Sequence, residues 1–313
     1  MSATTRAWNR YWFADLPAAE LAVYRIAWVG VQLACLVCGD LAERIAKYPG
    51  PAAPGYEPLP ILRLLALPLG GAGALGRVQL EAVFVVTLLA GLLALVGWRT
   101  RWSLVVFALG SLLLDSWVFS TDSLTHHLAL LEWALFLLAF TPCGAVFSLD
   151  ARLARRPNES DGPRATELLP GAAWIARLVH ALLALAYLSA ALTKVLRGPG
   201  EWFSGWTMQY YVSFHTMRSG STAGRWLMES HASNVVIAWL VIAFEVGFAL
   251  SVWFPRGAWI WALAAILVHA GAAVFMGVVF PSFPVLCAAL IPWCRVAEGL
   301  ESRWRQLRGR GSG

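Results

Sequence analysis

The chain has 313 residues, 59% of them hydrophobic and 13% charged, with a formal net charge of +6 and a mean hydropathy of +0.63. This excludes an ordinary soluble domain, in which about a quarter of the residues are charged. The positive charge does not imply nucleic acid, because most arginines lie in short stretches between apolar runs and report topology.

A polar and aromatic lead precedes the first long apolar run near Leu21, so no cleaved leader is expected and the first helix stays attached. Runs of ~17–25 apolar residues suffice to cross a ~30 Å hydrocarbon layer. Such runs place spans at 20–38, 79–97, 102–120, 124–142, 173–196, 233–254, 258–279 and a shorter one at 282–294. The expected fold is all-α, a polytopic transmembrane helical bundle of about eight spans forming one domain over 1–313. Between the first two spans, "PGPAAPGYEPLP" has too many prolines for a helix. The following "ILRLLALPL" is too short to cross and reads as re-entrant or interfacial. The 143–172 segment is polar and Arg-rich, and 197–232 reads as a long aromatic loop. Seventeen tryptophans, many at the ends of apolar runs, fit interfacial anchoring, and the five cysteines read as small core residues.

Placing the N-terminus in the cytoplasm collects Arg6, Arg10, Arg99, Arg101, Arg152, Arg155, Arg156, Arg164, Arg256, Arg295 and the C-terminal arginines on the inner side. The short outer loops near Asp122 and Ser282 then carry no Lys or Arg. Both termini are therefore expected in the cytoplasm.

Ionisable groups inside spans are costly and mark sites by default. They are Arg25, Asp115, His126, His127, Glu132, His180, Lys194, Glu245 and His269. Arg25 and His180 come early in spans that start at the cytoplasmic face, which fits snorkelling or helix-to-helix bonding. Glu245 and His269 fall near the middle of successive antiparallel spans, where a mutual hydrogen bond would satisfy both. His126 and His127 open the fourth span at its outer end and Lys194 closes the fifth at its outer end, so all three share one membrane level. A terminal lysine can be a snorkelling anchor or a reactive amine, and position alone leaves both open.

"YLSAALTKVL" followed by "EWFSGWTMQYY" resembles the membrane-domain signature of vitamin K-dependent gamma-carboxylases and the wider horizontally transferred transmembrane domain family. Tyr187, Ala190, Lys194, Trp202, Gly205, Trp206, Thr207, Met208 and Tyr210 fill the pattern. "LAVYR" at Leu21–Arg25, "THHLALLEWALFLLAFTP" leading to "FSLD" at Phe147–Asp150, and "ILVHAGAAVFMG" around His269 agree in order. Ala191 stands for a glycine, Thr193 for a lysine and His126 for an asparagine of the animal enzymes, and "RGP" lengthens the gap before Trp202. Those enzymes continue into a lumenal domain that binds the peptide substrate. With Gly313 as the last residue, no soluble lumenal domain is expected here.

The resemblance implies a reaction in which an enzyme lysine deprotonates vitamin K hydroquinone, and oxygenation to the epoxide yields a base strong enough to remove a glutamate γ-proton. It puts Lys194 at the position of the catalytic base and His127 at that of the functional histidine. Around these two, Trp202 and Tyr210 are expected to wall the quinone ring, His126 to bind the quinone, and His269 with Glu245 to orient the pocket floor. The implied co-substrates are reduced vitamin K or menaquinol with O2, and CO2 if a glutamyl substrate is carboxylated; no metal is implied. A protonated lysine is a poor base, and burial in an apolar, water-poor pocket disfavours the cation. The expected partners are the lipid bilayer, a lipophilic quinone, and a peptide substrate or separate soluble subunit, with no nucleic acid. The expected location is a bacterial cytoplasmic membrane with the site toward its outer, periplasmic side. Two classes of function follow: a quinol-dependent gamma-carboxylase-like oxygenase, or a non-catalytic quinone- or lipid-binding membrane module that partners a soluble redox protein.

Overall fold

A computed structural model describes residues 2–52, 55–121, 128–154 and 164–298. Its helices, in chain order, are α1 (Ala3–Trp12), α2 (Ala18–Cys38), α3 (Leu41–Lys47), α4 (Pro60–Leu65), α5 (Arg77–Val96), α6 (Thr100–Phe119), α7 (Ala129–Leu138) and α8 (Leu149–Leu153). They continue with α9 (Trp174–Arg197), α10 (Pro199–Phe203), α11 (Trp206–Ser219), α12 (Thr222–Glu229), α13 (His231–Leu250), α14 (Ala258–Gly271) and α15 (Ser282–Leu286). Among the described residues the only strands are two short ones, β1 (Leu16–Pro17) and β2 (Leu168–Leu169), paired antiparallel.

Among the described residues, six helical segments are long and apolar enough to cross a membrane: Ala18–Cys38, Arg77–Val96, Thr100–Phe119, Trp174–Arg197, His231–Trp253 and Pro255–Met276. The chain is thus an integral membrane protein built of helices. The run expected at 124–142 contains α7, ten residues long, and its first residues lie outside the described ones. The piece expected at 282–294 is α15 followed by a 3-10 turn over Cys287–Leu290, interrupted where Pro292 removes a backbone donor.

One expectation needs correction: 197–232 is not an aromatic loop. It forms α10, α11 and α12, separated by Gly205 at φ +82° and Gly220 at φ +71°, conformations that favour glycine. Pro199 opens α10 at a position where its missing N–H costs nothing, and the Ser221 hydroxyl accepts from Gly224 N to start α12. Gly205 and Gly220 thus join short helices.

The chain divides into two compact units, residues 1–175 with 292–313, and residues 176–291. In the first, α2, α5, α6 and α7 pack side by side, with small residues at the crossings. A Cβ at Gly91 would lie 2.6 Å from both Leu33 and Phe107, and one at Gly110 would lie 2.1 Å from the Thr87 hydroxyl.

The turn between α5 and α6 shows what "FSLD" does locally. Asp150 accepts from Arg99 N and Thr100 N at 2.8 Å each and from the Thr100 hydroxyl at 2.7 Å, so its carboxylate satisfies the first donors of α6. Asp150 N in turn donates to Gly97 O at 2.9 Å. Arg25, fully buried on α2, donates to Cys143 O at 3.1 Å and to Phe147 O. Gly97, at φ +73°, has no room for a side chain between Ser148 and the Arg25 guanidinium. Both "LAVYR" and "FSLD" therefore have structural roles in this turn, and Arg25 bonds loop carbonyls instead of snorkelling.

Asp150 carries a pH prediction. Partial burial pushes its carboxyl up, but the bonds from Thr100 and Arg99 and the Arg25 charge outweigh this and hold it below the usual carboxylate range. The contribution should be complete above the ordinary value of ~3.9 and fade as pH falls through the lower folded value. Asp150→Ala should lower stability by about 0.5–2 kcal/mol, as loss of a helix cap does. Thermal unfolding in detergent should show a constant gap from wild type between pH 7 and 5 that closes only below pH ~4.

Candidate active site

In the second unit, α9, a largely apolar helix, carries three polar side chains seven residues apart: His180, Tyr187 and Lys194. At 100° per residue, a step of seven returns almost to the same face, and at 1.5 Å per residue it climbs ~10.5 Å. The opposite face, with Leu185, Leu188, Leu192 and Leu196, is exposed and suited to acyl chains.

Each polar group on the stripe has its own partner. The His180 ring shares a 2.7 Å hydrogen bond with the Ser251 hydroxyl, which itself donates to Phe248 O at 2.6 Å. With its hydrogen so committed, Ser251 accepts from His180 Nε2, which fixes the tautomer by inference. Tyr187 Oη shares a 2.9 Å bond with His269 Nε2, and its ring packs against Phe244, Phe248 and Phe283. Lys194 Nζ donates to Glu245 Oε1 at 2.5 Å, with side chains only 14% and 8% exposed. Trp202 stands over the amine, 5.0 Å from ring centroid to Nζ, a cation–π contact.

The expected hydrogen bond between Glu245 and His269 is therefore replaced. Glu245 pairs with Lys194, and His269 pairs with Tyr187. Helices α13 and α14 do pack together, but both partners come from α9, which presents its polar stripe to each. The structure thus brings together Lys194, Glu245 and Trp202 directly, with Tyr187 and His269 one heptad below. Tyr210 lies elsewhere, 64% exposed and stacked on Phe214. His126 and His127 lie outside the described residues.

Sequence reasoning missed Tyr187 as a site residue and missed the Lys194–Glu245 pair. The seven-residue recurrence on α9 was a usable signal for Tyr187, though not for the partner of Lys194. A further feature matters chemically: Glu245 Oε2 is buried with no hydrogen-bond partner among the described residues. The pair thus retains an unused acceptor beside an ammonium and an indole face.

The HTTM domain matches residues 69–295, nearly three quarters of the chain. The chain belongs to the HTTM family. HTTM is the membrane domain of vitamin K-dependent gamma-carboxylase-like proteins. Comparison with curated proteins and with solved structures gives no match. The matched range includes Asp150, Lys194, Trp202, Glu245 and His269, so both the α6 cap and the ion pair fall within the family's domain.

The geometry predicts an asymmetry in stability. Removing one member of a buried ion pair strands the other, at a cost of up to ~3–5 kcal/mol, whereas replacing both by apolar residues is often close to neutral. Lys194→Met or Glu245→Leu alone should lower the unfolding temperature in detergent more than the double substitution does. Equal losses for single and double variants would mean that the charges do not depend on each other.

Proposed function

We propose that this HTTM chain is an intramembrane quinol-dependent oxygenase related to the gamma-carboxylases, with Lys194 and Glu245 acting as one proton-accepting unit. The observation that carries this is the ion pair itself, an amine and a carboxylate in contact under Trp202, with one carboxylate oxygen unclaimed. In this reading the side chains that bury Oε2 move aside for a hydroquinone hydroxyl, which donates to it, and the indole offers a face to a flat aromatic ring. When bound, the hydroquinone supplies an acidic O–H whose anion reacts with dioxygen.

Lys194 alone, as an ammonium, accepts nothing. In contact with Glu245 it can pass its proton to the carboxylate, since a neutral acid–amine pair avoids the cost of holding two charges in a low dielectric. The amine then takes the substrate's proton, and Glu245 holds the first. Trp202 excludes water from the amine, and Tyr187 with His269 supplies a second hydrogen-bonding pair in the same unit. His127, at the position of the family's functional histidine, is assigned to hold the oxygenated intermediate or to shuttle a proton. Reduced vitamin K or menaquinol is the proposed substrate, and carboxylation of a glutamyl peptide is the proposed downstream use.

A second reading has its own support, because a self-contained ion pair is also what a structural pin looks like. The chain would then be a quinone- or lipid-binding module for a soluble redox partner. Lys194→Arg separates the two. Arginine keeps the charge and can keep the pair, but it does not give up its proton. Purified protein given reduced quinone and oxygen should form quinone epoxide, and Lys194→Arg should lose ~10²–10⁴-fold of that rate with its unfolding temperature preserved. Thr193→Ala, whose hydroxyl bonds only Ser189 O of its own helix, should change little. Wild-type turnover in Lys194→Arg would leave only the pin.

The proposed setting is a bacterial cytoplasmic membrane crossed by about eight spans, with both termini in the cytoplasm and the α10–α12 segment outside. Ser219, exposed near the end of α11, tests this. Ser219→Cys in a cysteine-free background should react with an impermeant maleimide in intact cells. Reaction only after lysis would invert the orientation.

A further inference from the structure

Helix α11 is apolar on two opposite faces. Met208, Val212 and Thr216 are buried, and they pack the helix within its unit. At 100° per residue, Trp206, Tyr210, Phe214 and Met217 fall within ~80° of one another on the other side. These four are 62%, 64%, 42% and 74% exposed. Tyr210 stacks on Phe214 at 6.1 Å, so the row is a formed surface with its rings already ordered. A helix that is apolar on both sides needs a cover on both, and only one is supplied by its own unit.

We propose that this row is a membrane-interface surface: α11 lies along the bilayer boundary with Trp206, Tyr210, Phe214 and Met217 inserted among the glycerol and upper acyl groups of phospholipids. Three observations choose lipid over a protein partner. First, the row continues the exposed apolar face of a helix long and apolar enough to cross a membrane. Trp206 packs at 4.1 Å on His231, the first residue of α13, and Phe203 packs at 4.5 Å on Trp239 of α13. Val236, Trp239 and Leu240 of α13 are more than half exposed on a helix of membrane-spanning length. Second, the chemistry is that of an interface, since indole and phenol rings each carry a polar tip on an apolar body. Third, Arg218 sits at the end of the row with its guanidinium 5.5 Å from the Phe214 ring centroid, a cation beside the aromatic surface that is suited to a lipid phosphate.

This surface also locates the ion pair. Trp202, which covers Lys194, stacks on Tyr211 of α11 at 6.1 Å. An α11 anchored at the interface would hold that cover at the bilayer boundary and not in bulk water. The inference does not depend on catalysis, and its test reads position only.

The experiment places a photo-reactive benzoylphenylalanine at Tyr210, and separately at Met217, in the full-length protein reconstituted into phosphatidylethanolamine–phosphatidylglycerol vesicles. Both positions are exposed, so the fold should tolerate the change, and elution as a single species with wild-type unfolding temperature confirms it. The expected result is a phospholipid adduct at both positions, mapped by mass spectrometry to the glycerol or upper acyl region. Crosslinking to another polypeptide, to a second copy of the chain, or to other parts of the same chain in place of lipid would overturn the proposal. Absence of any lipid adduct while the probe is consumed in water would overturn it as well.

Discussion

A polar group carried into a bilayer by a helix must find its partner within the protein, because the surrounding hydrocarbon offers none. The second unit is organised by that constraint. His180, Tyr187 and Lys194 form one stripe on α9, and Ser251, His269 and Glu245 each meet one of them. The stripe fixes how α9 is rotated, since turning it would carry an ammonium toward lipid at ~2.5–3.5 kcal/mol or more. The rest of the unit follows: aromatics fill between the rungs, leucines face outward, and α10 lays Trp202 over the topmost pair.

The first unit meets the same constraint differently. Its fully buried arginine does not seek a carboxylate but bonds the carbonyls of a loop, and Asp150 is spent on the N-terminus of α6. Two segments that carry the family resemblance thus describe a joint between helices, while a third, around Lys194, describes an ion pair with a spare acceptor. Of these three segments, the last is the one whose described residues hold a titratable pair with a spare acceptor. The first two hold the frame in which helices of the first unit turn.

Much of this was legible in the sequence because hydrophobic length is a direct physical requirement. The six long helices fall where the apolar runs put them, within a few residues. The match of Lys194, Trp202 and the following aromatics to a known signature led to the right family. What sequence did not reveal was pairing across helices. Glu245 was matched with His269 because both lie mid-span on successive helices, yet rotation about the helix axis decides partners, and span counting is blind to rotation. The 197–232 segment reads as a loop in sequence because it lacks a run long and apolar enough to span, yet short helices need no such run. Tyr210 was read by motif position as a wall of the pocket, and the turn of α11 instead exposes it on the far face.

The central claim is that a substrate proton ends in the Lys194–Glu245 pair, with the carboxyl as its store. Infrared difference spectroscopy of the reconstituted protein reads this directly, by comparing the resting state with the state formed on adding reduced quinone without oxygen. The account predicts that a carboxylate signal is lost and the carbonyl stretch of a protonated carboxylic acid appears. That change should be absent in Glu245→Gln and in Lys194→Arg. Quinol bound with the carboxylate signal of Glu245 unchanged, or the same acid band persisting in Glu245→Gln, would contradict it.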